Sequence, residues 1–244
     1  MLTYTKYDDI DIDEELRKIE ECEQAQVRVD QNNKKCLFIL GMLFVNGVKI
    51  DILNEGELRI DQEGKSFSKM AFVWNRLGLN TFTNDRFDLG KKIVDARESG
   101  TRVERINNEP IENKIFLICP VRNATPEQRK WIEDFVEEKF QNNFIVHAPH
   151  LHTNQVDQLG GYNICKQNAT AVATSSEIDV YYDQSSTGSV FDLGVAYALH
   201  KPLKLLNPEE ITFNEDDLID SIIKNWPYNE RPKTKVLTSN KQNS

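Results

Sequence analysis

From residue 114 onward, short apolar runs alternate with longer segments in which apolar residues recur at helical spacing. The short runs predict buried strands at residues 115–118, 144–147, 178–182 and 203–206. The longer segments predict helices at 126–140, 165–174, 191–199 and 215–225. Strands that alternate with helices predict a parallel sheet with helices on both faces, in the Rossmann-like (flavodoxin-like) α/β class.

The first 108 residues carry a different pattern, which predicts a small α+β unit. Residues 14–27 fit a helix with Asp13 as its N-cap. Asn46-Gly47 separates the apolar run 36–45 from a second one at 48–53, and Asn-Gly between two such runs predicts a β-hairpin. Two short amphipathic helices are predicted further on, at 66–77 and 89–96.

The domain organisation follows from these two patterns. A polar stretch at 107–113, which contains Pro110, predicts a linker between the unit 1–108 and a second domain at 114–230. The polar residues 231–244 predict a disordered tail.

Composition narrows the function classes. The net charge of −9 argues against a nucleic-acid backbone as a partner. The longest apolar run has about ten residues, too few to span a membrane, and the acidic N-terminus is unlike a signal peptide. Four cysteines without a Cys-x-x-Cys pair predict reduced thiols in a cytoplasmic protein rather than a zinc site.

The segment 180–202 carries the most chemical information. An apolar strand runs into a loop of small hydroxyl residues, and this loop opens a helix with Asp192 near its start. Hydroxyls and free backbone N–H groups at a helix N-terminus suit an anionic ligand. Asp192 fits a nucleophile or general base, although an acid in a first helical turn also simply stabilises the helix dipole.

Three polar loops follow the predicted strands, at 119–123, 148–162 and 183–189, and the carboxyl ends of parallel strands are where ligands bind in such folds. Arg122, with Asn123 beside it, suits a phosphate, and Ser186 and Ser189 supply further hydroxyls. Alternatively, Arg122 is a solvated surface residue, and the serines are present because serine favours turns.

The middle loop contains Gln155 and Asp157, which suit a base edge or a ribose hydroxyl, with a plain polar surface loop as the alternative. His147, His150 and His152 look like a metal cluster at first sight. They have no acidic or cysteine partner at metal-binding spacing, so we expect no metal and no other cofactor.

Three stretches carry a family resemblance: Ile-Phe-Leu-Ile-Cys-Pro-Val-Arg at 115–122, Asn168, and Ser-Thr-Gly-Ser-Val-Phe-Asp-Leu-Gly-Val-Ala-Tyr-Ala-Leu-His-Lys-Pro at 186–202. Over residues 114–206 the chain resembles the nucleoside 2-deoxyribosyltransferase family and the related 2'-deoxynucleoside 5'-monophosphate N-glycosidases. In that family a carboxylate in a Gly-x-x-x-Glu-Leu-Gly block attacks C1' of the deoxyribose and displaces the base. Water or a second base then resolves the glycosyl-enzyme.

The resemblance implies that Asp192 is the nucleophile and that the protein is a homo-oligomer built on the C-terminal domain. Together with the loop chemistry, it gives the expected substrate-binding residues Cys119, Arg122, Asn123, Gln155, Asn168, Ser186, Gly188 and Ser189. Two departures stand out. Asp192 is shorter than the usual Glu by one methylene, roughly 1.5 Å of reach. Asn168 stands near a position where some members carry an acid, so Asp157 and Asp183 are the candidate general acids.

Three functions are therefore open. The first is cleavage or transfer at the N-glycosidic bond of a nucleoside or its 5'-monophosphate. The second is a non-catalytic nucleotide sensor or sequestering protein with the same pocket, which Asp192 and Asn168 favour. The third makes residues 1–108 a partner-binding or oligomerisation module that the C-terminal domain regulates.

Overall fold

The computed structural model describes residues 1–30, 32–54, 105–106, 108–121, 124–153 and 162–229, with the backbone alone at 52, 162 and 163. The predicted helices at 66–77 and 89–96 and the tail 231–244 lie outside the described residues. Within the described part, the chain is an α/β protein with two parallel sheets of three and four strands. No helix there is long and apolar enough to cross a membrane.

The N-terminal sheet has the strand order β1-β2-β3, and all its strands run parallel. Its strands are β1 (Leu2–Tyr4), β2 (Gln24–Val27) and β3 (Lys49–Ile52), and its connecting helices are α1 (Ile12–Glu20) and α2 (Lys34–Val45). Asp11, not Asp13, caps α1, because its carboxylate accepts hydrogen bonds from the N–H groups of Asp13 and Glu14. The predicted helix 14–27 therefore ends early, and its last residues form β2 instead.

The predicted hairpin at Asn46-Gly47 is wrong. The apolar run before it is helix α2, in which every residue from 36 to 45 is buried. A helix buried on all sides has no polar face, so hydrophobic periodicity cannot distinguish it from a buried strand. Asn46 is the C-cap of this helix, and Gly47 follows with φ of 68°, the left-handed conformation that closes many helices. The described part of the N-terminal unit is thus α/β with parallel strands rather than α+β.

The C-terminal sheet confirms the predicted parallel arrangement. Its strands are β4 (Ile111–Ile118), β5 (Ile145–His147), β6 (Ser175–Val180) and β7 (Leu203–Leu205), in the order β5-β4-β6-β7. Its helices are α3 (Pro126–Gln141), α4 (Pro149–His152), α5 (Tyr162–Thr174), α6 (Thr187–Ala198) and α7 (Leu218–Lys224). Strand β4 begins inside the predicted linker, and α6 begins four residues earlier than predicted.

Helices cover both faces of this sheet, as the alternation of β4 shows. Phe116 and Ile118 belong to the large apolar cluster that includes α5 and α6. Leu117 and Cys119 pack on the opposite face with Ile132 of α3. Successive residues of a strand point to opposite faces, so the fully apolar run predicted at 115–118 is a strand buried on both sides.

Helices α2 and α6 cross at close range. Each is buried along nearly its whole length, and the apolar cluster that contains both also includes side chains from both sheets. Phe44 of α2 packs edge-on against Phe191 of α6, with ring centroids 5.6 Å apart. The N-terminal unit therefore packs against the helix that carries Asp192.

Candidate functional site

A cavity of about 260 Å³ opens at the carboxyl ends of β4 and β6. Its walls come from residues 119–121 after β4, from the 183–189 loop after β6, and from side chains of α5 and α6. The chain leaves β4 for β5 on one side and later returns to β6 on the other side. Crevices at such a reversal of strand order are the usual ligand sites of open parallel sheets.

The first turn of α6 faces this cavity with its backbone N–H groups. Ser186 is the N-cap, but its side chain makes no capping hydrogen bond. Its Oγ instead accepts a hydrogen bond from Ser189 Oγ at 2.8 Å. Thr187, Gly188 and Ser189 all line the cavity. Uncapped N–H groups together with the positive end of the helix dipole favour an anion here.

Asp192 lies in the second turn of α6, because the helix begins at Thr187. The helix dipole acts mainly on the first turn, so it does not account for an acid at this depth. The side chain is only 7% exposed and lines the cavity. Burial raises the pKa of Asp192 to about 7, while a hydrogen bond from Asn168 acts in the opposite direction.

Asn168 of α5 holds this carboxylate. Its Nδ2 donates to Asp192 Oδ2 at 3.2 Å, and its Oδ1 accepts from Thr153 Oγ1 at 2.9 Å. Thr153 Oγ1 in turn lies 3.0 Å from His147 Nε2. Sequence reasoning found Asn168 but missed Thr153 and this role of His147, because neither residue has a motif of its own.

Cys119 lines the same cavity beside Asp192. Burial, reinforced by the charge of Asp192, raises the pKa of the Cys119 thiol to about 12. A thiol with such a pKa stays protonated near neutral pH, so Cys119 contributes shape rather than a nucleophile.

Asp183 also lines the cavity, and it shapes the loop between β6 and α6. Its Oδ1 accepts hydrogen bonds from the backbone N–H of Ser185 at 2.8 Å and from Ser185 Oγ at 2.7 Å. This is a local turn closed by an aspartate side chain. The turn leads into Ser186, the residue directly before the start of α6.

A second carboxylate also stabilises the loop between β6 and α6. Asp220 of α7 is fully buried and accepts hydrogen bonds from Gln184 Nε2 at 2.6 Å and from Tyr182 OH at 2.8 Å. Lys34 of α2 lies 3.2 Å from the same carboxylate. Burial by itself raises the pKa of Asp220, but the hydrogen bonds and Lys34 outweigh it and hold that pKa below its ordinary value. Sequence reasoning missed this network.

Hydrogen bonds engage two of the three histidines. His147 Nε2 is engaged with Thr153, and His152 Nδ1 accepts from the Ala148 N–H at 3.0 Å. Within the residues that the structure describes, no group of three or more potential ligands is arranged to hold a metal ion.

The structure thus brings together Cys119, Asn168, Asp183, Ser186, Gly188, Ser189 and Asp192 around one cavity. The other predicted site residues, Arg122, Asn123, Gln155 and Asp157, lie outside the described residues. Comparisons with protein-family models, with curated proteins and with solved structures found no match to this chain.

Proposed function

We propose that this protein cleaves or transfers the N-glycosidic bond of a nucleoside or nucleoside 5'-monophosphate, with Asp192 as the nucleophile. The observation that carries the proposal is a buried carboxylate in the same cavity as an uncapped helix N-terminus. The resemblance of residues 186–202 to the nucleoside 2-deoxyribosyltransferase block supports the choice of reaction. The strand order β5-β4-β6-β7 is compatible with the Rossmann-like fold, and we propose its flavodoxin-like variant.

The proposed reaction has two steps. An oxygen of Asp192 attacks C1' of the sugar, and the bond between C1' and the base nitrogen breaks with its electron pair going to the base. Water or a second base then attacks C1' and releases the carboxylate. Because Asn168 holds Oδ2 from one side, the carboxylate is fixed before the sugar arrives. Asp183 and Asp157 are the candidate donors of a proton to the leaving base.

The start of α6 is the proposed site for a 5'-phosphate. Ser186 and Ser189 supply hydroxyls, and residues 187–189 supply backbone N–H groups at the same end of the cavity. Arg122 is the proposed charged partner from the loop after β4.

One observation favours the alternative of a nucleotide-binding sensor or sequestering protein. The group at 3.2 Å from Asp192 is an amide, which cannot donate a proton to a leaving base as a carboxylic acid can. In this alternative the pocket binds the nucleotide and no bond is broken.

The experiment that separates the two is incubation with a panel of deoxynucleosides and their 5'-monophosphates, with free base measured by chromatography. Calorimetric titration of the same compounds reports binding. We expect base release by the natural chain and binding without release by the Asp192→Asn variant, because the substitution keeps the shape and removes the charge. Binding without release by both proteins supports the sensor, and neither binding nor release by either contradicts both functions.

We further propose a cytoplasmic homo-oligomer, on the strength of the resemblance and of four widely spaced cysteines without a Cys-x-x-Cys pair. Helix α2 packs on α6 within one chain, so an oligomer interface has to use another surface of the C-terminal domain. Light scattering at micromolar concentration tests the oligomer, and the mass of a single chain would contradict it.

A further inference from the structure

A line of hydrogen-bonded polar side chains leads from Asp192 away from the cavity. It passes from Asp192 to Asn168, from Asn168 to Thr153, and from Thr153 to His147 at the end of β5. Asn168 and Thr153 are both buried, at 6% and 5% exposure. One chain of hydrogen bonds therefore connects three separate elements: α6, α5 and the segment after β5.

The direction of each hydrogen bond follows from the carboxylate. Ionised Asp192 can only accept, so the Asn168 amide must present its NH₂ group to it. The amide oxygen then faces Thr153 and requires a donor, which is the single hydroxyl proton of Thr153. Thr153 has no second hydroxyl proton to give, so its oxygen accepts from His147 Nε2.

The state of His147 agrees with this direction. Its ring stacks on Phe116, with centroids 5.5 Å apart, and burial lowers its pKa to about 4. The imidazole is therefore neutral near pH 7 and carries one proton. The hydrogen-bond directions place that proton on Nε2.

We propose that Thr153 and His147 are positioning residues for Asp192, acting through Asn168. His147 donates to Thr153, Thr153 donates to Asn168, and Asn168 therefore keeps its NH₂ group on Asp192 Oδ2. A reversed amide would place its oxygen against the carboxylate and repel it. The proposal takes the reactive role of Asp192 from the proposed function, but the chain of hydrogen bonds is testable without any substrate.

Asp192 has other titratable neighbours, which the test must keep constant. Cys119 after β4, Cys165 of α5 and Asp183 after β6 line the same cavity. None of them is altered in the variants below.

The first experiment needs no variant. Long-range ¹H–¹⁵N correlation spectra of the full chain, recorded above about pH 8 where Asp192 is ionised, report the protonation and tautomer of each histidine. We expect His147 to be neutral with its proton on Nε2. A proton on Nδ1 alone, or a charged imidazole, would overturn the proposed direction of the chain.

The second experiment follows the Asp192 carboxyl by ¹³C NMR during a pH titration. Thr153→Val preserves the shape but removes the hydroxyl, and Thr153→Ser restores it. We expect Thr153→Val to raise the pKa of Asp192 by roughly one pH unit, because the hydrogen bond that favours the charged form weakens. Thr153→Ser should titrate like the natural chain. Equal titration of Thr153→Val and the natural chain would overturn the proposal.

A third readout applies if base release is observed. Thr153→Val should then lower kcat roughly ten- to a hundredfold with little change in KM, because a misplaced nucleophile affects the reaction more than binding. If the protein releases no base, only this third readout is lost. The histidine tautomer and the Asp192 titration still decide whether the chain exists, so the two failures are distinguishable.

Discussion

Gly194 of α6 lies directly against the main chain of Phe38 of α2, with no room between them for a side chain. A Cβ at Gly194 would fall well inside van der Waals contact of the Phe38 carbonyl oxygen. Gly41 of α2 meets the main chain of Phe191 in the same way from the other side. Because Asp192 follows Phe191 directly, this crossing connects the N-terminal unit to the position of the candidate nucleophile.

The first prediction concerns this crossing. Gly194→Ala and Gly41→Ala should each lower the free energy of unfolding by about 3 kcal/mol or more, since backbone atoms cannot move aside as a flexible side chain can. This loss outweighs the ~1 kcal/mol that alanine gains over glycine inside a helix. Chemical denaturation measures the effect.

Gly47→Ala is the comparison variant for the crossing. Gly47 follows α2 with a positive φ, so alanine there brings left-handed backbone strain of roughly 1–2 kcal/mol. Unchanged stability of both Gly194→Ala and Gly41→Ala would show that the helices do not cross as described.

The second prediction concerns stability and pH. Asp192 has its ordinary pKa in the unfolded chain and a pKa of about 7 in the folded one. The folded chain therefore binds the proton of Asp192 more tightly than the unfolded chain does. The stability that this proton contributes is complete below about pH 4 and is lost as the pH rises through 7. Asp192→Asn cannot ionise, so it should be more stable than the natural chain at pH 8, by on the order of a few kcal/mol.

Denaturation curves at pH 4 and pH 8 check this. The advantage of Asp192→Asn should disappear at pH 4, where Asp192 is protonated. Asp134→Asn, at an exposed ion pair on α3, should change stability by less than about 0.5 kcal/mol at either pH. If the difference in stability between Asp192→Asn and the natural chain were the same at pH 4 and pH 8, this would contradict a buried, ionisable Asp192.

The third prediction is the pH dependence of base release. A carboxylate nucleophile must be ionised, and burial raises the pKa of Asp192 to about 7. The rate should therefore rise with pH and reach half of its plateau near pH 7. Measurement of kcat/KM, which reports ionisations of the free enzyme, between pH 5 and 9 tests this. A rate already constant from pH 5 upward would mean that the reacting group is ionised at much lower pH than Asp192.

The fourth prediction concerns Asp220. Its fully buried carboxylate accepts hydrogen bonds from Gln184, Tyr182 and Lys34. Asp220→Ala should cost about 1–3 kcal/mol of stability, because it leaves the buried Tyr182 hydroxyl without its acceptor and removes one of the two carboxylates that pair with Lys34. Asp216→Ala, at an exposed position next to the same helix, is the control and should be neutral within about 0.5 kcal/mol. Similar denaturation midpoints for the two variants would contradict the network.

The C-terminal sheet was predictable because its signals are local. Each strand there includes apolar residues next to a polar loop, although β4 and β6 begin with mostly polar segments that the prediction left out. Each long helix has a stretch of helical periodicity. Helix α2 was not predictable in this way. It is apolar on every side, since it lies against α6, and Asn46-Gly47 behind it is equally compatible with a hairpin and a helix end.

The candidate site was also predictable only in part. Asp192, Ser186 and Ser189 stand in one contiguous block, so the sequence alone predicted that they lie close together. Asn168 was found through the family resemblance. Thr153, His147 and Asp220 contact the site only through the packing of separate elements, and no local pattern encodes those contacts.

The fifth prediction concerns the charge of the ligand. A 5'-monophosphate should bind roughly tenfold or more tightly than its nucleoside, because each hydrogen bond to a charged group contributes about 1.5–3 kcal/mol. The donors are the N–H groups at the start of α6 and the hydroxyl of Ser186, which is not used for capping. These local donors have to outweigh the repulsion from a net charge of −9.

Calorimetric titration of matched nucleoside and monophosphate pairs decides whether this end of the cavity is a phosphate site. Ser186→Ala should reduce the preference for the monophosphate and leave nucleoside binding nearly unchanged, since the hydroxyl lies at the helix start rather than beside Asp192. Arg122→Ala should erase most of the preference, as Arg122 is the proposed bidentate partner. Ser221→Ala, on α7, is a serine control that should leave both affinities unchanged. Equal affinities for both ligands, or an undiminished preference in both the Ser186 and Arg122 variants, would mean that these loops do not bind phosphate.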